Sequence, residues 1–262
     1  MRATPSQRVG SGPPLVLLHG FLDTWRTWEL VLPALARRHD VLALTLGGHA
    51  GGPPIEGALS ATSLPDAAER ALDAAGIERA HLAGNSLGGY VALQLAARGR
   101  AETVVALAPA GGWDDDSYLA MLDVQAGLAE QARNLAPYAD AIVATPEGRR
   151  RATELITTSY EHIPAELLAD QLRGVAACTD AARMIEYGRT ADWTLDAERI
   201  TCPVRIVWGT DDKLLPWPSA AARYRTEWLP HADWVELEGV GHCPQLDVPL
   251  ETAQLILGFT AG

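Results

Sequence analysis

Ala80-His81-Leu82-Ala83-Gly84-Asn85-Ser86-Leu87-Gly88-Gly89-Tyr90 decides how the chain is read. Residues 80–84 form a short, mostly apolar strand, and the sharp turn that closes it places a serine at the head of a helix. The helix is legible from the Ala, Leu and Val content of residues 87–98 and from Gly99 at a natural stop. Gly84-Asn85-Ser86-Leu87-Gly88 fits G-x-S-x-G, the elbow that forces a serine into a strained, exposed geometry above a sheet. Both glycines have a steric task, since a side chain at either position would collide where strand and helix approach. Ordinary Gly and Ser usage would supply such a pattern by chance in about one chain in ten of this length. A nucleophilic Ser86 therefore needs partners elsewhere in the chain.

Working outward, the same alternation recurs. Residues 15–18 (Leu-Val-Leu-Leu) are a continuous apolar run, the pattern of a strand buried on both faces in a parallel sheet, and residues 41–46 read as the second buried strand. Between them, residues 24–36 carry Trp25, Trp28, Leu32 and Leu35 at helical spacing. A helix begins at Ser63 and stops at Gly76, and residues 103–108 make a further strand. Residues 204–208 (strand), 218–228 (helix), 233–237 (strand) and 250–260 (helix) continue the pattern. The predicted fold is α/β, a mostly parallel sheet flanked by helices. Residues 113–193 differ, with four helical patterns near 117–135, 146–160, 164–177 and 180–190 and no strand between them. They read as an all-helical insertion over the sheet edge where such folds bind ligands. The expected organisation is a core of residues 1–112 and 194–262 with a helical cap at 113–193.

On a parallel sheet, the groups that serve a serine must lie on loops after strand C-terminal ends. A serine hydroxyl needs a base, the base needs an orienting group, and the oxyanion needs donors. Of seven histidines, His81 lies inside a strand, His39 and His231 precede strands, and His162 falls in the insertion. His19 and His49 follow strands but precede the serine. His242 follows the last strand and completes the chain order serine, acid, histidine. The acid is sought in Gly209-Thr210-Asp211-Asp212-Lys213, where the spacing favours Asp212 and leaves Asp211 as a turn residue; an exchange of these roles is the open alternative. The backbone N–H groups of Leu87 and of Phe21, in the turn His19-Gly20-Phe21-Leu22, are the expected oxyanion donors.

Composition narrows the setting. The chain has 262 residues, enough for one sizeable core, with 48% apolar and 21% charged residues. A formal charge of −12 argues against nucleic acid or an anionic membrane as partner. No apolar run approaches a membrane span, and residues 15–18 are too short for a signal peptide's apolar region. Three scattered cysteines, Cys178, Cys202 and Cys243, suggest neither a disulfide framework nor a zinc site. A cytoplasmic protein without cofactor or metal is expected, acting on a small-molecule carbonyl substrate.

His19-Gly20-Phe21, the Gly84–Gly89 elbow, Gly209-Thr210-Asp211-Asp212 with Pro216, and Gly241-His242 together resemble the α/β-hydrolase fold family, over essentially the whole chain. The resemblance implies a Ser86-Asp212-His242 triad beneath a helical cap. It departs from the family at Gly47-Gly48-His49-Ala50, where Pro-Gly-His-Gly is frequent, and in leading strands shortened to residues 7–10. A serine nucleophile sets the chain apart from the family's haloalkane dehalogenase and epoxide hydrolase branches, which use aspartate. The Gly-Asn-Ser elbow also occurs in the branch that hydrolyses carbon–carbon bonds, but Cys243 stands where that branch has tryptophan after the histidine. The expected function is hydrolysis of a carboxylic ester or lactone through an acyl-enzyme. The alternatives are hydrolysis of a ring-fission diketone, a lyase, and a ligand receptor on the same scaffold. Trp25, Trp113, Tyr118, Met121, Met184, Tyr187 and Trp193 are the candidate pocket residues, each with core packing as the competing role.

Overall fold

Strands buried on both faces carry apolar side chains at every position, and β2 (Pro14–Leu18) is built this way, with Leu15 to Leu18 fully buried. A computed structural model of the chain describes residues 4–260. The other strands are β1 (Ser6–Gly10), β3 (Asp40–Leu44), β4 (Ala80–Asn85), β5 (Ala101–Leu107), β6 (Val204–Gly209) and β7 (Asp233–Leu237). They form one seven-stranded sheet in the order β1-β3-β2-β4-β5-β6-β7, parallel except for β1 at its edge.

The period of two divides the core. Val16, Leu18, Leu82, Val104 and Ile206 face one side, where they pack with helices α2 (Ser63–Ala74) and α3 (Leu87–Ala97). Leu15, Leu17, Val105, Leu107 and Val207 face the other, against Trp28, α1 (Leu32–Leu35) and α10 (Pro249–Thr260). Each such aliphatic side chain contributes about 1.5–3 kcal/mol by burial, so the sheet is a rigid base for its loops.

Residues 24–36 are not one helix. They form a 3-10 turn, Trp25–Trp28, followed by the single-turn helix α1. Pro33 explains the break, since it has no N–H to continue a helix begun at Trp25. Between β5 and β6 lie α4 (Tyr118–Leu135), α5 (Ala139–Val143), α6 (Pro146–Thr153), α7 (Ala165–Ala176) and α8 (Ala181–Thr190). The pattern at 146–160 thus ends early, at Thr153. Residues 218–228 hold only a 3-10 turn and a π-helical turn. After β7 comes the short helix α9 (Pro244–Asp247). Among the described residues, no helix is long and apolar enough to cross a membrane.

Strand order decides which loops meet. β2 lies between β3 and β4, so the chain reverses its winding there, and the crevice at such a point is where α/β sheets bind ligands. Leu18 pairs with Gly84, which sets the His19 turn beside the Ser86 elbow. Gly209 pairs with Leu237, which sets the Asp212 loop beside the His242 loop.

Candidate active site

Ser86 has φ 53° and ψ −120°, a conformation that L-residues rarely adopt. Its neighbours hold it there. Ser86 N donates to Leu107 O at 2.8 Å, and Ser86 O accepts from Tyr90 N and Ala110 N, each at 3.1 Å. A Cβ on Gly84 would overlap the Gly88 carbonyl, and one on Gly88 would overlap the Leu18 and His19 carbonyls. The elbow therefore depends on both glycines.

His242 Nδ1 donates to Asp212 Oδ2 at 2.7 Å, with both side chains buried. Asp212 Oδ1 accepts from Leu214 N at 2.9 Å and Leu215 N at 2.7 Å, so the carboxylate is fixed before it meets the imidazole. Asp211 is exposed and contributes its backbone N–H to Val240 O. This arrangement fixes the proton on Nδ1 and leaves Nε2 as an acceptor. Ser86 and His242 line the same cavity, of about 800 Å³.

The Leu87 amide is in the first turn of α3, where helix geometry provides no acceptor. Phe21 belongs to the turn after β2, and both residues line a second cavity with Ser86. His19 shapes that turn: its Nε2 accepts from Leu46 N at 2.9 Å and its Nδ1 bonds Gly20 O at 2.6 Å. Burial first, and the nearby His49 second, push His19 well below the ordinary histidine range, so it is a neutral structural group.

The second cavity is smaller, about 90 Å³, and mostly apolar. Trp113, Met121, Met184, Tyr187 and Trp193 line it, as do Ser60, Gln125 and Asp192. Phe21, Ser86, Gln125 and Leu214 border both cavities, so Ser86 stands at their junction. Two expected pocket residues are not brought to it. Trp25 packs in the core with its indole N–H on Thr4 Oγ1, because it belongs to the 3-10 turn under the sheet. Tyr118 stacks on Trp113, 4.7 Å between ring centres, and lines neither cavity.

Four residues at the site escaped the sequence reading. Asn85 Nδ2 donates to Leu107 O at 3.1 Å and His242 O at 2.9 Å, while its Oδ1 accepts from Gln245 Nε2 at 3.1 Å. Asn85 and Gln245 thus tie the elbow to the histidine loop. The buried Asp247 carboxylate accepts from Gly241 N (2.7 Å), Thr158 N (2.9 Å) and Ser159 N (2.7 Å), and from Thr158 Oγ1. Cys243 N also donates to Ile156 O at 2.8 Å. The inserted segment is therefore fastened to the loop that carries His242. Asp23 lies on the wall of the larger cavity. Its Oδ1 accepts from Thr24 N at 2.7 Å and its Oδ2 from Gln171 Nε2 at 3.5 Å. Burial pushes its carboxyl up to about 6, against the lowering effect of those hydrogen bonds. Asn85 stands inside the elbow motif, which does not reveal its bonds to the histidine loop, and no motif marks Gln245, Asp247 or Asp23.

A model of the alpha/beta hydrolase family matches residues 15–255. The chain is 31% identical over 207 residues to the epoxide hydrolase EphH of Mycobacterium tuberculosis, across 77% of this chain and 95% of that protein. The enol-lactonase from Burkholderia xenovorans LB400 superposes with a TM-score of 0.75 at 21% identity, over 98% of this chain and 96% of its own. A meta-cleavage product hydrolase from Pseudomonas fluorescens IP01 does so with a TM-score of 0.73 at 22% identity, over 97% and 92%. At such identities these two structures show the shared fold alone. The family match spans both the elbow and the histidine loop, and this chain belongs to the alpha/beta hydrolase family and is an enzyme of that family.

Proposed function

We propose that the protein is a serine hydrolase that cleaves a carboxylic ester or lactone through an acyl-enzyme. The single observation that carries this reading is the 2.7 Å bond to Asp212 from Nδ1 of His242, which lines the same cavity as Ser86. His242 Nε2 takes the Ser86 proton as Oγ attacks the carbonyl carbon. The Phe21 and Leu87 amides receive the oxyanion, and Asp212 stabilises the imidazolium. Collapse of the tetrahedral intermediate breaks the bond to the leaving oxygen, which His242 protonates. Water then enters, gives its proton to His242, and releases the acid and the Ser86 hydroxyl.

The helices of residues 113–193 act as a cap over this centre in the proposal, and the smaller cavity takes the acyl group. That cavity's volume equals only about six to nine water-sized spheres, which favours short acyl chains. The free thiols of Cys178, Cys202 and Cys243 suit the reducing cytoplasm. A small carbonyl compound is the partner, and neither nucleic acid nor a membrane has a role.

Epoxide hydrolysis, suggested by the name of the M. tuberculosis relative, is the less favoured reading because of Ser86 itself. A serine oxygen opening an epoxide would form an ether, which the next step could not hydrolyse as it would an ester. The test is turnover of p-nitrophenyl butyrate beside a ring-fission diketone and an epoxide. The ester should be preferred, with pre-steady-state release of nitrophenol, and Ser86→Ala should lower kcat by at least 10³. An Ala variant within tenfold of wild type would refute the proposal.

A further inference from the structure

We propose that Asp23 makes this enzyme selective for esters whose leaving alcohol carries a positive charge, such as an amino-alcohol with a quaternary ammonium group. The inference rests on the ester reading above and names the substrate class within it.

The two cavities at Ser86 are chemically unequal. His242 lines the larger and not the smaller. The leaving oxygen must be protonated by His242, so the alcohol departs into the larger cavity. Asp23 is on that wall, one turn from the reacting centre. Its backbone N–H donates to Gly20 O at 3.4 Å, and Gly20 lies against Ser86. The groups that bond its carboxylate are neutral: the Thr24 amide, the Thr27 hydroxyl and the Gln171 carboxamide, the last at a long 3.5 Å. The guanidinium nearest in sequence, Arg26, is held by Glu29 at 3.1 Å and Asp170 at 2.9 Å.

Asp23 therefore presents a half-buried carboxylate to the larger cavity, with only neutral groups bonded to it. Farther out, the same cavity is lined by Glu147, Glu154 and Arg151, so its mouth adds no net positive charge. A cationic alcohol gains attraction along this path, and an anionic one meets repulsion. The acyl side also has a carboxylate, Asp192, but that residue is exposed to solvent, and Phe21, Leu87, Tyr90 and Trp113 line the same cavity with apolar surface.

The experiment compares three butyrate esters of similar size: choline, 3,3-dimethylbutanol as its uncharged counterpart, and 3-sulfopropanol. In the wild-type enzyme at pH 7.5, kcat/KM should fall in that order. The choline ester should exceed the uncharged one about thirtyfold, which is about 2 kcal/mol at 1.4 kcal/mol per decade. Asp23→Asn should bring that ratio to within threefold, and a ratio taken on one enzyme cancels effects on shared steps. A second measurement needs no variant: free choline should inhibit p-nitrophenyl butyrate hydrolysis competitively at concentrations where 3,3-dimethylbutanol does not. A wild-type ratio within threefold, an unchanged ratio in Asp23→Asn, or equal inhibition by the two alcohols would overturn the proposal. Failure of the ester reading itself looks different, since p-nitrophenyl butyrate would then not depend on Ser86.

Discussion

Asp247→Asn is expected to weaken the fold and the catalytic centre together. The wild-type carboxylate receives three backbone N–H groups and one hydroxyl, all in a buried place. An asparagine has one acceptor oxygen. With that oxygen toward Gly241 and Thr158, its NH₂ opposes the Ser159 N–H; in the flipped orientation it opposes the other two. At best, one buried donor is left unpaired at about 1–3 kcal/mol, and two remaining bonds lose charge assistance at about 0.5 kcal/mol each. The total is about 3 kcal/mol. At about 2–4 °C per kcal/mol for a domain of this size, thermal melting should drop by about 9 °C. Because Gly241 precedes His242, weakening the bond that its amide keeps should also lower kcat/KM on p-nitrophenyl butyrate several-fold, as a misplaced base does. The assays are a thermal melt and initial rates well below the melt. A melt within 2 °C of wild type together with kcat/KM within twofold would show that the carboxylate fastens nothing.

Two further outcomes follow from single hydrogen bonds and one buried acid. In Asp212→Asn, the side-chain oxygen keeps the Leu214 and Leu215 amides and the NH₂ faces His242 Nδ1. The imidazole proton then moves to Nε2, and kcat should fall by about 10³–10⁴ with the fold intact; steady-state kinetics beside circular dichroism check this. Asp23 titrates near 6 in the folded chain and near 3.8 unfolded, so its contribution to stability is full below about pH 3.8 and lost as pH rises through 6. Asp23→Asn stays neutral and should melt higher than wild type by about 3–6 °C at pH 8, allowing about 1–2 kcal/mol for a side chain that faces a wet cavity. At pH 4 the gap should nearly close, and an equal gap at both pH values would refute the assignment.

Legibility followed the range of the interactions. β2 and β4 could be read because strands covered on both faces are apolar at every step, and the elbow because backbone crowding demands two glycines in fixed positions. The acid–histidine pair was legible because each must follow a strand on the same sheet edge. The helix expected through residue 160 failed for a tertiary reason: the Thr158 and Ser159 amides go to Asp247, and Ile156 O goes to Cys243. Those partners are distant in sequence, and no local pattern encodes them. Trp25 and Tyr118 have the size and chemistry of pocket residues, but their positions are set by packing in the core and by stacking on Trp113.

Asn85 occupies the position that an elbow motif leaves unspecified, yet its carboxamide meets Leu107, His242 and Gln245 at once. The loop bearing Ser86 and the loop bearing His242 are in this sense one machined part, keyed by residues 85 and 245. The serine elbow of this enzyme is consequently not a portable module. Drift at either key residue would have to be answered at the other, and a graft of residues 84–88 alone would leave its lock behind.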